Sequence, residues 1–519
     1  MNKLKKIFFL LPLILMPSFP ILSFYLKNIS ELSLKFIVKP LTSSIGLSLI
    51  GALLFSLIIK NKNKAALIVL LFNLIFFSYG HLSNSLNSIL FIQLPNEVVL
   101  GPDKTLLPII TVLFIFLSFR ILGSKKDFNQ TISFINASLL FIVGYLSLSI
   151  VQKEYQKGAN LEIFPFQSQS KISENQKMTP DIYYIILDGY ARQDILKEIY
   201  HYDNSWFIES LRKMGFYVAD YARSNYLHTY LSLPSTLNMR YLDELPKKHG
   251  TNPVSNIAAR QLIYDNEVTR KLKACGYTII NFASTWEGTN ENFQADITYK
   301  STQYFKIFGK NISFDENTII FLQTTLLSPF IKEVWFDTLR AHTLSTLQKL
   351  PGIPFLKGKK FTIVHLIAPH PPYVFTAEGY PVQGNQTEFS KENMDKYLNQ
   401  LVFISNQILP VLQKIIKNSS TPPVIILQSD HGPGSLLGKS GEWPKNYSKE
   451  GLKERSSILY AVYFPDKDYN QFYDSITSVN TFRIVFDKYF NEDLKLLPDK
   501  IFYTGFEKLY EFKDITSIK

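Results

Sequence analysis

An α/β/α sandwich with a mostly parallel sheet, carried behind a bundle of five transmembrane helices, is the architecture this sequence predicts. Two patterns predict it. Five long apolar runs crowd into the first 151 residues, and from residue 180 onward short continuous apolar runs alternate with stretches of helical spacing. A third observation bounds the chemistry: the 519 residues contain one cysteine, Cys275, which excludes a disulfide scaffold and a cysteine-rich metal site. Metal ligands must then be His, Asp or Glu. The formal charge of +12 would suit a nucleic-acid binder. The apolar residues are so unevenly placed, however, that charge has to be read segment by segment, and no nucleic-acid partner is expected.

The apolar runs give helices at about 7–26, 41–59, 65–82, 105–122 and 131–151, forming a transmembrane domain of residues 1–151. Most approach the roughly 20 residues that a spanning helix needs. The first run follows a basic start, "MNKLKK", but lacks a small-x-small cleavage site and precedes four more spans, so it reads as a retained helix. Lysine and arginine set the orientation, because cytoplasmic loops hold them in excess. With the N-terminus inside, the inside segments are "MNKLKK", Lys60–Lys64 and Arg120–Asp127, all basic, whereas the loop at 83–104 carries only Lys104. The loop at 27–40, with Lys27, Lys35 and Lys39, is the one dissent. The expectation is a multi-pass protein of a bacterial-type inner or plasma membrane. Residues 152–179, polar and without period, read as a linker, and residues 180–519 as a domain facing the periplasm or outside.

In that domain the strand-like runs are "DIYYIILD" (181–188), "YTIINFAS" (277–284), "KFTIVHLIAP" (360–369), "PVIILQSD" (423–430) and "SILYAVYFP" (457–465), with a long helix at 393–416 among the segments between them. Functional groups in such sheets gather at the C-terminal ends of the strands. That rule selects Asp188 in "LDGY", His370 in "APHPPY", and Asp430 with His431 in "SDHG". Carboxylates and imidazoles at adjoining strand ends suit a divalent ion, zinc or manganese rather than calcium. An Asp before a Gly is also a common turn or cap residue. The Asp430–His431 pair is the sharper signal, since a carboxylate and an imidazole after an apolar strand are costly to bury unpartnered. His365, inside its apolar run, reads as structural.

"PDIYYIILDGY", "TYLSLPSTLN", "APHPPY" and "SDHG", in that order, resemble the alkaline phosphatase and sulfatase superfamily. Five spans ahead of such a domain look like its membrane-bound branch, the lipoteichoic acid synthases (phosphoglycerol transferases) and phosphoethanolamine transferases. The resemblance implies an alkaline phosphatase-like catalytic domain. It places Thr229 as both metal ligand and nucleophile, at a helix start that favours the transferred anion, with Ser232 and Ser235 as helix-face residues or weak phosphate contacts. The competing reading of Thr229 is a helix N-cap and nothing more. The implied ligand set is Asp188, Thr229, Asp430 and His431 around one zinc or manganese ion, with His370 contacting substrate and donating a proton. Arg455 and Trp286 are candidate phosphate and head-group contacts.

Departures narrow the resemblance. Sulfatases need Cys-x-Pro-x-Arg for formylglycine, whereas the lone cysteine here sits in "KACGY" and "SLPST" lacks the arginine. Asp188 stands where the membrane-bound relatives carry Glu, and no histidine follows His431 to complete a two-zinc set. The expected function is transfer of a phosphoglycerol or phosphoethanolamine head group from a phospholipid donor, through a phosphothreonine, to an envelope glycan or lipid acceptor. The alternative is a phosphodiesterase or phosphatase of the same superfamily with water as acceptor.

Overall fold

The computed structural model describes residues 9–29, 32–86, 92–93, 99–100, 102–159, 180–253, 256–300, 305–307, 310–312, 316–382, 389–438, 447–505 and 508–518. The chain divides into two compact units, Met1–Ala159 with Phe314–Trp335, and Asn160–Ser313 with Phe336–Lys519.

The first unit contains the helices α1 (Leu11–Lys27), α2 (Val38–Ile59), α3 (Lys62–Ser85), α4 (Pro102–Gly123) and α5 (Asn129–Ala159). Among the described residues four helical segments, Leu34–Ile59, Lys62–Ser85, Asp103–Gly123 and Asn129–Gln156, are long and apolar enough to cross a bilayer, whereas α1 has 17 residues. Leu47, Ile58, Val112, Phe119 and Phe141 lie well exposed on these helices, an arrangement that fits lipid and not water. At one end of the bundle, Asn61 caps α3 by accepting from the Lys64 N–H, and Lys64 Nζ donates to the Leu122 and Ser124 carbonyls at the C-terminal end of α4. Elsewhere Tyr79 and Ser83 donate to Asp103 (3.0 and 2.8 Å), and Tyr25 to Glu154 (2.7 Å). Helix α5 runs to Ala159, because "QKEYQKGA" is made largely of good helix formers. The remaining linker residues, 160–179, and the basic start "MNKLKK" lie outside the described residues.

A later stretch of the chain completes this unit. The helix Glu316–Gln323 and the turn after it lie against α1 and α3, where Phe321 packs with Ile21 and Phe77. Two main-chain hydrogen bonds join the stretch to α3, from the Gly80 N–H to the Thr324 carbonyl (3.1 Å) and from the Leu326 N–H to the Phe76 carbonyl (2.7 Å). Approach this close requires glycine: a Cβ on Gly80 would sit 2.1 Å from the Gln323 carbonyl oxygen.

The second unit is built on a seven-stranded sheet. Its strands are β1 (Ile182–Leu187), β2 (Tyr217–Val218), β3 (Thr278–Phe282), β4 (Ile297–Tyr299), β5 (Lys360–Leu366), β6 (Val424–Gln428) and β7 (Tyr460–Tyr463). They lie in the order β2-β7-β6-β1-β5-β3-β4, parallel from β6 to β4 and antiparallel at β7 and β2. Along β1 the side chains alternate between two cores. Tyr183, Ile185 and Leu187 join one with Tyr397, Leu401 and Ile404, while Ile182, Tyr184 and Ile186 join the other with Phe482, Val485 and Phe486. A strand buried on both faces has no polar side to show, so its sequence is continuously apolar. The sandwich expected from the sequence is thus present, and β1 sits inside it with β6 and β5 on either side.

Replacing Gly80 tests the seat of the inserted stretch. Gly80→Ala should displace it at the cost of about 1–2 kcal/mol for the lost hydrogen bonds. In a Cys275→Ser background, a cysteine placed at the fully buried Thr325 should then react with a polar maleimide roughly tenfold faster than it does with Gly80 intact. Equal rates would show that the stretch does not rest on Gly80.

Candidate active site

Three neighbouring strands deliver side chains to one point. Asp188 follows β1 directly and donates its N–H to the Leu366 carbonyl at the end of β5 (3.0 Å). Gly189 then turns the chain with φ +71°, and its N–H donates to Asp430 Oδ1 (3.3 Å), so the turn after β1 holds the carboxylate that follows β6. On that side Ser429 Oγ accepts from the Tyr190 N–H (2.8 Å) and donates to the His431 carbonyl (2.6 Å). At Gly432 a Cβ would lie 2.1 Å from the Glu454 carbonyl oxygen, which leaves glycine as the residue that lets the loop lie against the helix Lys449–Ser456.

Thr229 opens the helix α6 (Thr229–Leu237). The N-cap is His228, with no side-chain cap bond, so Thr229 is not the cap that the bland reading made it. Its Oγ1 lies 3.1 Å from His431 Nε2. Ser232 and Ser235 give their hydrogens to the main chain: Ser232 Oγ donates to the Asp430 carbonyl (2.6 Å), tying α6 to the loop after β6, and Ser235 Oγ donates to the Arg240 carbonyl (2.7 Å).

His431 Nδ1 donates to the Gly432 carbonyl (3.0 Å), which leaves Nε2 with a lone pair. That nitrogen lies 3.5 Å from Asp188 Oδ1 and 3.3 Å from Asp430 Oδ2. Asp188 and Asp430 are 4% and 1% exposed, and Asp188 Oδ1 and Asp430 Oδ2 have no hydrogen-bond partner. Buried carboxylate oxygens left bare call for a cation. Donors about 2.0–2.1 Å from a shared zinc in tetrahedral array stand roughly 3.3–3.4 Å apart, and the separations of 3.1, 3.3 and 3.5 Å around His431 Nε2 bracket that value, so the residues present fit a divalent ion.

The carboxylates share a charge problem. Burial, and after it the Asp188 charge, raises the Asp430 carboxyl to about 7. Burial also pushes Asp188 upward, but the His370, His365 and His431 imidazoles outweigh it and hold this carboxyl below its ordinary range. His431 and His370 are both pushed down, chiefly by burial, with Arg455 contributing, so both are neutral at pH 7.

His370, half-buried, donates from Nδ1 to the Pro371 carbonyl (2.6 Å) and belongs to a group with Asp188 and His431 whose ligand atoms lie within 4.8 Å of one another. Arg455, expected at a phosphate, is buried instead. It donates from Nε to the Leu227 carbonyl, from Nη1 to the Gly432 carbonyl and from Nη2 to His431 Nε2, each at 2.9 Å. It therefore ties the approach to α6 to the loop after β6. Trp286 stands behind the cluster, its ring 6.0 Å from that of His365. His365 is the residue that sequence reasoning missed: it forms a second group with Asp188 and Asp430 within the same 4.8 Å limit. Its position in an apolar strand concealed it. His228, also unanticipated, is buried with Nε2 3.0 Å from the Thr504 carbonyl, and burial lowers it to about 3.

With this geometry established, comparison with known proteins is informative about the family. The family model described as Sulfatase matches residues 180–484. No curated protein matches the chain. Among solved structures, the chain is similar to the C-terminal periplasmic domain of EptC from Escherichia coli in complex with zinc, at 14% identity and a TM-score of 0.42, over 67% of this chain and 96% of that one. It is also similar to the integral membrane protein lipooligosaccharide phosphoethanolamine transferase A from Neisseria meningitidis, at 12% identity and a TM-score of 0.41, over 93% of this chain and 95% of that one.

As a ligand, the Asp430 carboxyl would set the pH dependence of metal uptake. With a value of about 7 in the ion-free protein, it is ionised above pH 7 and must release a proton to bind below it. Apparent zinc affinity measured by chelator competition should therefore fall about tenfold from pH 8 to pH 6 through this group. A flat profile would count against Asp430 as a ligand.

Proposed function

This chain belongs to the sulfatase family of enzymes, and we propose that it is a membrane-anchored, metal-dependent transferase. It moves a phosphoglycerol or phosphoethanolamine head group from a phospholipid, through a phosphothreonine on Thr229, to an envelope glycan or lipid acceptor. The observation that carries this reading is the placement of Thr229. A hydroxyl stands first on a helix, 3.1 Å from the His431 nitrogen and beside two buried carboxylates. The four long apolar helices of the same chain suit a donor that resides in a bilayer.

The roles follow from the contacts. Asp188, Asp430, His431 and Thr229 would hold one zinc or manganese ion, which when bound lowers the pKa of the Thr229 hydroxyl and offsets charge on the phosphate. The N-terminus of α6 faces the same point and favours the anion. His370, neutral at rest with Nδ1 committed to Pro371, takes the Thr229 proton on Nε2. Thr229 Oγ forms its bond to phosphorus as the bond from phosphorus to the diacylglycerol oxygen breaks, and His370 returns the proton to that oxygen. An acceptor hydroxyl then attacks the phosphothreonine and loses its proton to His370; the bond from phosphorus to Thr229 Oγ1 breaks as the new one forms, and His370 returns the proton to that oxygen.

We place residues 152–519 outside the cytoplasm on the evidence of the basic loops at 60–64 and 120–127. Alkaline phosphatase fused after Lys157 should be active and the fusion after Lys62 inactive; the reverse pattern would put the site in the cytoplasm and end the lipid-donor reading as stated.

Thr229→Ala should cut diacylglycerol release from fluorescent phosphatidylglycerol or phosphatidylethanolamine by about a thousandfold or more. Wild-type protein quenched during turnover should carry the mass of the transferred group on Thr229. Release that persists in the variant would move the nucleophile elsewhere. Wild-type turnover yielding the free head-group phosphate in the presence of acceptor would replace transfer by hydrolysis.

A further inference from the structure

The sequence assigns His365 to the core, and the ligand set proposed above leaves it out, yet its surroundings are those of a ligand. His365 lies in β5 opposite Ile186 of β1 and is 1% exposed. Its Nε2 is 3.3 Å from Asp188 Oδ2 and has no hydrogen-bond partner. Which ring nitrogen carries the hydrogen decides what this contact is.

A relay of hydroxyls answers that. Ser284 Oγ donates to the Trp286 carbonyl (3.0 Å), a group that only accepts. Having spent its hydrogen there, Ser284 must accept from Thr289 across their 2.6 Å contact. Thr289, having spent its own, must accept from His365 Nδ1 across 2.7 Å. The relay therefore puts a hydrogen on Nδ1 and leaves Nε2 as the nitrogen that faces the carboxylate oxygen. At this distance in a dry site a cation, whether a proton or a metal ion, must lie between the two atoms, and the grouping of Asp188, His365 and Asp430 with ligand atoms all within 4.8 Å of one another suits a metal ion. A histidine whose Nδ1–H is fixed by a hydrogen bond while Nε2 points at a carboxylate cluster has the second-shell support of metal-ligating imidazoles. The 3.3 Å edge matches the Asp430–His431 edge on the other side of the site.

We infer that His365 is a metal ligand, so that the ion in this protein is held by two imidazoles, His365 and His431, together with Asp188, Asp430 and the Thr229 oxygen. Zinc accepts such a set by expanding to five donors. The inference rests on reading the site as a metal centre, and the test separates the two. X-ray absorption fine structure at the zinc edge of the purified full-length protein counts imidazoles directly. Two are expected in the wild type and in His370→Ala, and one in His365→Ala. Bound zinc with one imidazole in the wild type, or with two in His365→Ala, would overturn this inference and leave the metal centre standing. A drop to one in His370→Ala would assign the second imidazole to His370 instead. A protein that binds no zinc or manganese would overturn both readings. The wild-type and His370→Ala counts decide the matter even where His365→Ala fails to fold. Thr289→Val, which removes the acceptor for Nδ1–H, should weaken zinc binding by about tenfold or more with the count still two; unchanged affinity would remove the relay from the explanation.

Discussion

Two carboxylates buried side by side, Asp188 and Asp430, set the terms on which the second unit is built. An uncompensated buried charge costs about 3–5 kcal/mol when its partner is removed, and here two like charges share one dry corner of the sheet. The surrounding groups answer that cost. Gly189 donates its N–H to Asp430, the imidazoles of His365 and His431 come within 3.5 Å of carboxylate oxygens, and Arg455 stands behind His431. The compensation is incomplete, since an oxygen on each carboxylate remains bare. What a stable core would avoid, a binding site requires: the deficit is a cation's worth of charge, held open by strands too well packed to close over it.

That packing explains what was legible in the sequence. β1, β3, β5, β6 and β7 are covered on both faces, so each had to be a continuous apolar run, and the residues just past β1 and β6 fell at the ends where side chains become free to act. Asp188, Asp430 and His431 could be found by that rule alone. β2 and β4, two and three residues long, are too short to show a period. Thr229 has no local signature that separates it from the hydroxyls around it, and it was found through the resemblance of the motif it sits in. His365 looked like core because it is core on the sequence level, an imidazole among "FTIV" and "LIAP". Its meaning depends on register with β1 and on a loop nearly 80 positions earlier, the Thr289 contact with a sequence separation of 76.

The first unit shows the same limit in another form. Its helices were readable because a bilayer demands long apolar runs. The stretch around Phe321 was not, since an apolar segment inside a soluble-looking domain gives no sign that it will pack against α1 and α3. Gly80 carries the only local hint, a glycine within a helix, where it would ordinarily cost about 1 kcal/mol relative to alanine. The cost is explained by the backbone that lies against it.

The hydroxyls of the segment from Thr229 to Thr236 show how position on a helix sets one hydroxyl apart from its neighbours. A serine or threonine inside a helix commonly turns its hydroxyl back to a carbonyl one turn earlier or to a neighbouring acceptor. Thr236 does so with the Ser232 carbonyl, while Ser232 and Ser235 are taken up by the carbonyls of Asp430 and Arg240. Each of those oxygens has given its hydrogen to the main chain and is buried with it. Thr229 stands first, with no earlier helical turn behind it to bond, and its oxygen meets His431 instead. The helix thus commits three similar hydroxyls to structure and leaves one in contact with the charged cluster. The N-terminal dipole adds to that choice, because the only hydroxyl in the first position is also the one nearest the end where a phosphate is favoured. Ser232 then serves that hydroxyl indirectly: its bond to the Asp430 carbonyl ties the helix that carries Thr229 to the strand end that carries the carboxylate.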